Sequence, residues 1–343
     1  MIEIPSSLQS TCVIGHDEAK AAIESAFDSA RMPHAWLITG PEGIGKTTLA
    51  VHVAHMLLTK GENRFSSFNP KHPVARLIAA GAHPDFFILK RPVDEKTGIL
   101  KKTISVDVAR KAAPFLHMTA SHGGARVALV QEAHKLTVNA QNALLKIIEE
   151  PSADSFIIMV ATTAASLLPT IRSRCRFLAL DPLAPASLET ILMRMGADLP
   201  SGEDKARFLN LSDGSAGFAL DLLQMDGLQI FDELMVLLSD LPAIDIPALH
   251  RIAGLLGKKA DVQSFEIVTR LLTQTLAHEV KSVALGQEDA TGLALKLAPS
   301  GRLDKLLDLW EKTRASFAAA HESNLDKKLI FIDAVLEMKR CAM

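Results

Sequence analysis

Residues 36–49, WLITGPEGIGKTTL, constrain this chain more than any other stretch. Leu37 and Ile38 close an apolar run of strand character. Gly40, Gly45, Lys46 and Thr47 then spell G-x-x-x-x-G-K-T, and the helical run TTLAVHVAHMLL follows at once. Glycines let backbone N–H groups turn inward around a phosphate, and the N-terminus of the next helix adds its partial positive charge. Lys46 is placed to reach β- and γ-phosphates, and the Thr47 hydroxyl to ligate Mg²⁺ held by the nucleotide. Gly43 and Thr48 complete the candidate phosphate-binding set. A chance glycine-rich turn has no need of four fixed positions between a strand and a helix. The stretch predicts a purine nucleoside triphosphate site, whether or not it turns over.

A chain of 343 residues suits two or three domains. Hydrophobic content of 48% with 22% charge is that of a soluble globular protein. There is no apolar run of the roughly 18 residues that a membrane span needs, and MIEIPSSLQS does not read as a secretory signal. A cytoplasmic protein is expected. With 37 Lys plus Arg against 39 Asp plus Glu, bulk charge does not draw it to nucleic acid. Local phosphate contacts stay open, at Lys101 and Lys102 or at Lys258 and Lys259, although paired lysines are usually solvated surface. Cys12, Cys175 and Cys341 form no C-x-x-C pair, so neither a disulfide framework nor a zinc site is expected. His52 and His55 lie three apart on the helix after the loop with no third ligand, and read as a packed or solvated pair.

Along the chain, a turn at Ile14-Gly15-His16 leads into an amphipathic helix up to Ala30, which either folds over a nucleotide base or covers a sheet. Val74–Ala80 reads as a short helix and His83–Leu89 as a second strand. Residues 91–102 read as an exposed hairpin or loop, and Ser105–Leu116 as one amphipathic helix capped by Ser105. Arg126–Val130 is apolar enough to be a strand buried on both faces. A helix over Asn139–Glu150 is stopped by Pro151, and strands follow at Phe156–Ala161 and Phe177–Leu180. Strands alternating with helices behind a phosphate loop predict an α/β P-loop domain with a parallel sheet. After residue 180 only helical patterns remain: a small lid up to Asp226, then about five longer amphipathic helices, with Trp310 in their core.

A hydrolysing P-loop protein needs a carboxylate at the end of a neighbouring strand to hold Mg²⁺. Here that position is Gln131, a neutral amide, followed by Glu132, which either polarises a water or caps a turn. Thr162 and Thr163 end the next strand at the same sheet edge. Arg172-Ser173-Arg174-Cys175-Arg176 places three arginines in five residues, either a solvated turn or a source of an arginine acting on a neighbouring molecule. Cys175 reads as a small buried hydrophobe.

Taken in order, GPEGIGKTTLA, HPD (His83–Asp85), NALLKIIEEP (Asn142–Pro151), SRC (Ser173–Cys175) and the helical C-terminal half resemble the bacterial clamp-loader branch of the AAA+ proteins. Within it, the pattern is similar to the delta-prime type of DNA polymerase III subunit. The resemblance implies that Gly40–Thr48 is the Walker A loop, Gln131-Glu132 the Walker B position and Thr162 or Thr163 sensor 1. It implies that Arg174 is a trans arginine finger offered to an adjacent subunit's ATP. It also implies a core (1–180), a lid (181–226) and a collar (227–343) through which five subunits form an incomplete ring. The partners implied are gamma/tau and delta subunits, the sliding clamp and primed DNA. Two positions depart from the hydrolysing pattern: Gln131 for Asp, and Gly217 where the lid motif GSAGFAL (Gly214–Leu220) would carry Arg. Residues 61–80 hold no cysteine for a zinc module. The expectation is a subunit that binds ATP with Mg²⁺, hydrolyses it poorly, and has no polymerase chemistry of its own. The alternative, an active AAA+ ATPase of the gamma/tau or homo-oligomeric kind, needs the two positions that are changed.

Overall fold

The computed structural model describes residues 8, 10, 12–29, 31–94, 96–121, 124–256, 262–286, 292–298, 303–322 and 325–342. They divide into two compact units, Met1–Gly217 and Phe218–Met343. In the first unit the apolar runs become five parallel strands: β1 (Ala35–Thr39), β2 (Phe86–Leu89), β3 (Arg126–Val130), β4 (Ser155–Ala161) and β5 (Arg176–Ala179). Their order is β2-β3-β4-β1-β5. In register, Leu37 lies between Met159 and Phe177, and Val130 between Leu89 and Met159. Every residue of β1 and β3 is buried, as strands covered on both faces must be. Because side chains alternate across a strand, Leu37, Ala128, Val130 and Met159 build the core on one face, and Trp36, Ile38, Leu129 and Val160 the core on the other.

Two helices cover the second of these faces: α1 (Asp17–Asp28), through Ala19 and Ile23, and α2 (Lys46–Leu58), buried over most of its length. Next in the chain come α3 (Pro73–Ala79), α4 (Val106–Ala109) and α5 (Ala112–His117). The single helix expected over Ser105–Leu116 is thus two short ones. Pro114 supplies no N–H and its ring clashes with the carbonyl four residues back, at Arg110, so one helix cannot run through. Ser105 makes no side-chain cap. The strand expected from His83 starts only at Phe86, since a turn held by Phe86 N to His83 O (3.2 Å) occupies the start of the run.

Helix α6 (Val138–Glu149) lays Ala140, Leu144, Ile147 and Ile148 on the first face, its start capped by the Thr137 hydroxyl, which accepts from Ala140 N at 3.2 Å. Then follow α7 (Pro169–Arg172), α8 (Pro185–Arg194), α9 (Glu203–Leu211) and α10 (Ala216–Gln224), the division between the units falling in its first turn. The edge strand β5 leaves Phe177 51% exposed.

The second unit is helical: α11 (Gly227–Ser239), α12 (Ile246–Leu255), α13 (Val262–Ala284), α14 (Leu293–Leu297), α15 (Leu303–Glu322) and α16 (Lys327–Cys341). Helix α14 is additional to the helices expected; five residues are too few to carry a period. Phe265 of α13 meets the Phe317 ring of α15 edge-on at 6.1 Å, and Phe331 of α16 is fully buried. Trp310, expected in the core, is only half-buried on α15, with the Arg314 guanidinium 5.0 Å above its ring. Lys258 and Lys259 lie outside the described residues.

Candidate functional site

The turn from β1 to α2 follows from its glycines. Gly40, Gly43 and Gly45 all have positive φ (146°, 75° and 98°), which residues with a Cβ rarely adopt. At Gly40 a Cβ would also lie 2.4 Å from the Leu180 carbonyl oxygen. Helix α2 opens at Lys46 behind Gly45, which supplies no side-chain cap, so among the described residues no side chain caps the first N–H groups of the helix. Lys46 is 8% exposed and its ammonium donates to the Pro41 carbonyl. Burial lowers its pKa, with Glu42 opposing. A buried cation beside an uncapped helix start, with no carboxylate in ion-pair contact among the described residues, is chemically matched to a phosphate. Thr47 and Thr48 follow in the same turn. The His16 ring donates to the Ile44 carbonyl at 2.8 Å and ties the entry of α1 to the loop. The turn at Ile14-Gly15-His16 was legible in the sequence, but this bond was not.

The ends of the neighbouring strands lie at the same edge of the sheet. Gln131 N donates to Leu89 O at 2.9 Å. Glu132 adopts φ 53°, and its carboxylate accepts from Arg91 Nε at 2.8 Å. The Glu132 carboxylate is thus held by the Arg91 guanidinium. Arg91 carried no signal in the sequence, lying within a loop 41 residues away. At the end of β4, Thr163 caps the following turn by accepting from Ala165 N (3.3 Å), which leaves Thr162 as the half-buried hydroxyl next to the strand.

Arg174 stands apart, just before β5. Its guanidinium is half-exposed, 3.1 Å from Glu149 at the end of α6, and donates to Thr170 O at 3.1 Å. The same α6 holds the preceding segment: buried Gln141 accepts from Leu168 N (2.8 Å) and donates to Ser166 O (3.4 Å). Helix α6, through Gln141 and through Glu149 of NALLKIIEEP, is thus the platform on which the SRC segment rests. Cys175 packs against the core, and burial pushes its thiol up to about 12.

Asp85 of HPD is structural. Its carboxylate is buried against Arg126 at 3.2 Å and accepts from Ser121 N at 2.9 and 3.1 Å. His52 and His55 are buried among Phe65 and Phe68, and burial lowers them to about 4 and about 3. Lys101 stands 3.9 Å from Asp94 across a hairpin closed by Val93 and Leu100. Among the described residues no group of three or more His, Cys, Asp or Glu is arranged to hold a metal ion.

A family model described as "DNA polymerase III, delta subunit" matches residues 15–184, from the turn before α1 to the end of the sheet. The chain is 32% identical over 276 residues to the DNA polymerase III subunit delta-prime of Escherichia coli, covering 80% of this chain and 79% of that one. The chain belongs to the delta-prime family of DNA polymerase III subunits. The delta-prime subunit of Pseudomonas aeruginosa is 41% identical over 187 residues, and the match spans 54% of each chain, about half the length of that relative. A solved structure of a gamma subunit-related protein from Thermotoga maritima aligns over 94% of this chain and 99% of its own at 16% identity and a TM-score of 0.45. Among the described residues no helix is long and apolar enough to cross a membrane.

Proposed function

We propose that this delta-prime family member is a clamp-loader subunit that binds ATP or ADP, turns it over poorly, and offers Arg174 to a neighbour's nucleotide. With gamma/tau and delta subunits in the cytoplasm it would open a sliding clamp and place it on primed DNA. In this reading residues 1–180 are the nucleotide core, 181–226 the lid and 227–343 the collar. Gly40, Gly43, Gly45, Lys46, Thr47 and Thr48 hold the phosphates, Thr162 faces them, and the Thr47 hydroxyl ligates a Mg²⁺ that arrives with the nucleotide.

The observation that carries binding is Lys46, a buried ammonium bonded to a loop carbonyl beside an uncapped helix start. Poor turnover follows from three positions. Gln131 is a neutral amide where a Mg²⁺-holding carboxylate is needed, Glu132 is engaged by Arg91, and Gly217 has no side chain to bring to a γ-phosphate. The test is calorimetric titration of the purified chain with ADP and with ATP, followed by phosphate release. Binding that is lost in Lys46→Ala, with little release, is expected. Brisk Mg²⁺-dependent turnover by the pure chain, abolished in Lys46→Ala, contradicts the proposal.

A further inference from the structure

The turn at residues 212–215 and the first residues of α10, Ala216 and Gly217, lie against the phosphate loop. The Ser215 hydroxyl donates to Glu42 O at 2.8 Å, and Gly217 N donates to Gly43 O at 3.2 Å. Ser215 is fully buried. The approach leaves no room for a side chain at Gly43, where a Cβ would lie 2.2 Å from the Ser215 hydroxyl oxygen and 3.0 Å from Gly217 N, and is tight at Gly217, where a Cβ would lie 3.2 Å from the Gly43 Cα. The same turn is anchored behind, with Leu183 N donating to Gly214 O at 3.0 Å and Ser212 donating to Phe208 O at 2.7 Å.

In a planar trans peptide, a carbonyl and the N–H of the next residue point in opposite directions. Holding the carbonyls of Glu42 and Gly43 towards Ser215 and Gly217 therefore turns the N–H groups of Gly43 and Ile44 away from them. N–H groups of such a loop are what cradle α- and β-phosphates. We infer that Ser215 is a positioning residue for polyphosphate binding, bracing the phosphate loop from outside together with the Gly217 backbone. The inference rests on the nucleotide reading above and adds a selectivity to it. Because the brace acts on the α/β cradle and Gly217 offers nothing to a γ-phosphate, ADP and ATP are held alike.

The experiment is a titration of the full chain with ADP, ATP and adenosine, beside its Ser215→Ala and Gly217→Ala variants. Loss of one such hydrogen bond is expected to weaken ADP and ATP equally, by about three- to tenfold, with adenosine affinity unchanged. Gly217→Ala, whose Cβ would crowd the Gly43 Cα at 3.2 Å, is expected to give the same selective loss. Wild-type ADP affinity in both variants, or parallel losses for ADP and adenosine, overturns the brace while leaving the nucleotide site standing. No ADP binding by the unaltered chain overturns the site and the brace together.

Discussion

Asp85 supplies the sharpest test of whether HPD is scaffold or chemistry. Its side chain is 3% exposed and that of Arg126 7%, so the pair is out of water. Asp85→Ala deletes one ion of a buried pair and the acceptor of two contacts from Ser121 N. Removing one partner of a buried pair costs about 3–5 kcal/mol, because the other charge stays buried. Arg126 keeps bonds to Phe115 O (3.1 Å) and Thr119 O (2.7 Å), and its guanidinium lies 4.9 Å from the Phe115 ring. Those contacts set the expectation at the lower end, about 3 kcal/mol. Urea unfolding in a Trp310→Phe background reads the first unit alone, through buried Trp36. Pairing Asp85→Ala with Arg126→Met should recover part of the loss, since no charge is then stranded. At low urea the single variant should bind ADP as the unaltered chain does. A loss under about 1 kcal/mol, or normal stability with abolished nucleotide binding, refutes the structural reading.

His52 and His55 stay neutral in the fold down to about pH 4 and about pH 3 respectively, while an unfolded histidine protonates near pH 6.5. Between pH 6.5 and 4.5 the unfolded chain binds the extra protons, so stability falls with pH by up to about 1.4 kcal/mol per unit for each ring. Urea midpoints across that range should show it, and His55→Phe should flatten the slope. Leu307 of α15 and Leu329 of α16 are exposed apolar residues in the proposed collar. Leu307→Glu with Leu329→Glu should leave the melting of the isolated chain nearly unchanged and abolish co-elution with the other loader subunits. Unimpaired co-elution removes these residues from assembly.

What could be read from the sequence was what is local. The phosphate loop announced itself because each of its residue types answers a backbone or charge requirement within one turn. β1, β3 and β4 were legible because strands covered on both faces are unbroken apolar runs. The apolar period runs unbroken across Pro114, while the break comes from its ring against the carbonyl at Arg110. The pairing of Arg91 with Glu132, the hold of Gln141 on Leu168 and the hydroxyl of Ser215 on Glu42 join residues 41, 27 and 173 positions apart. No period or motif encodes them, and only the fold brings them together. The departure of Trp310 from the core has the same cause: a helical stripe does not say how much of its edge a neighbour covers.

Arg174 decides whether this subunit serves a nucleotide it does not hold. The direct measurement is DNA-stimulated ATPase and clamp loading by the reconstituted loader with Arg174→Ala in this chain alone. An arginine on a transferring phosphoryl group is worth roughly 10³–10⁵ in rate, whereas an exposed pair such as that with Glu149 is worth about 1 kcal/mol at most. The one site facing Arg174 is expected to fall silent. Total turnover then drops by that site's share, clamp loading drops further, and the variant's own ADP affinity is unchanged. Wild-type rates of ATPase and loading at saturating ATP would contradict it.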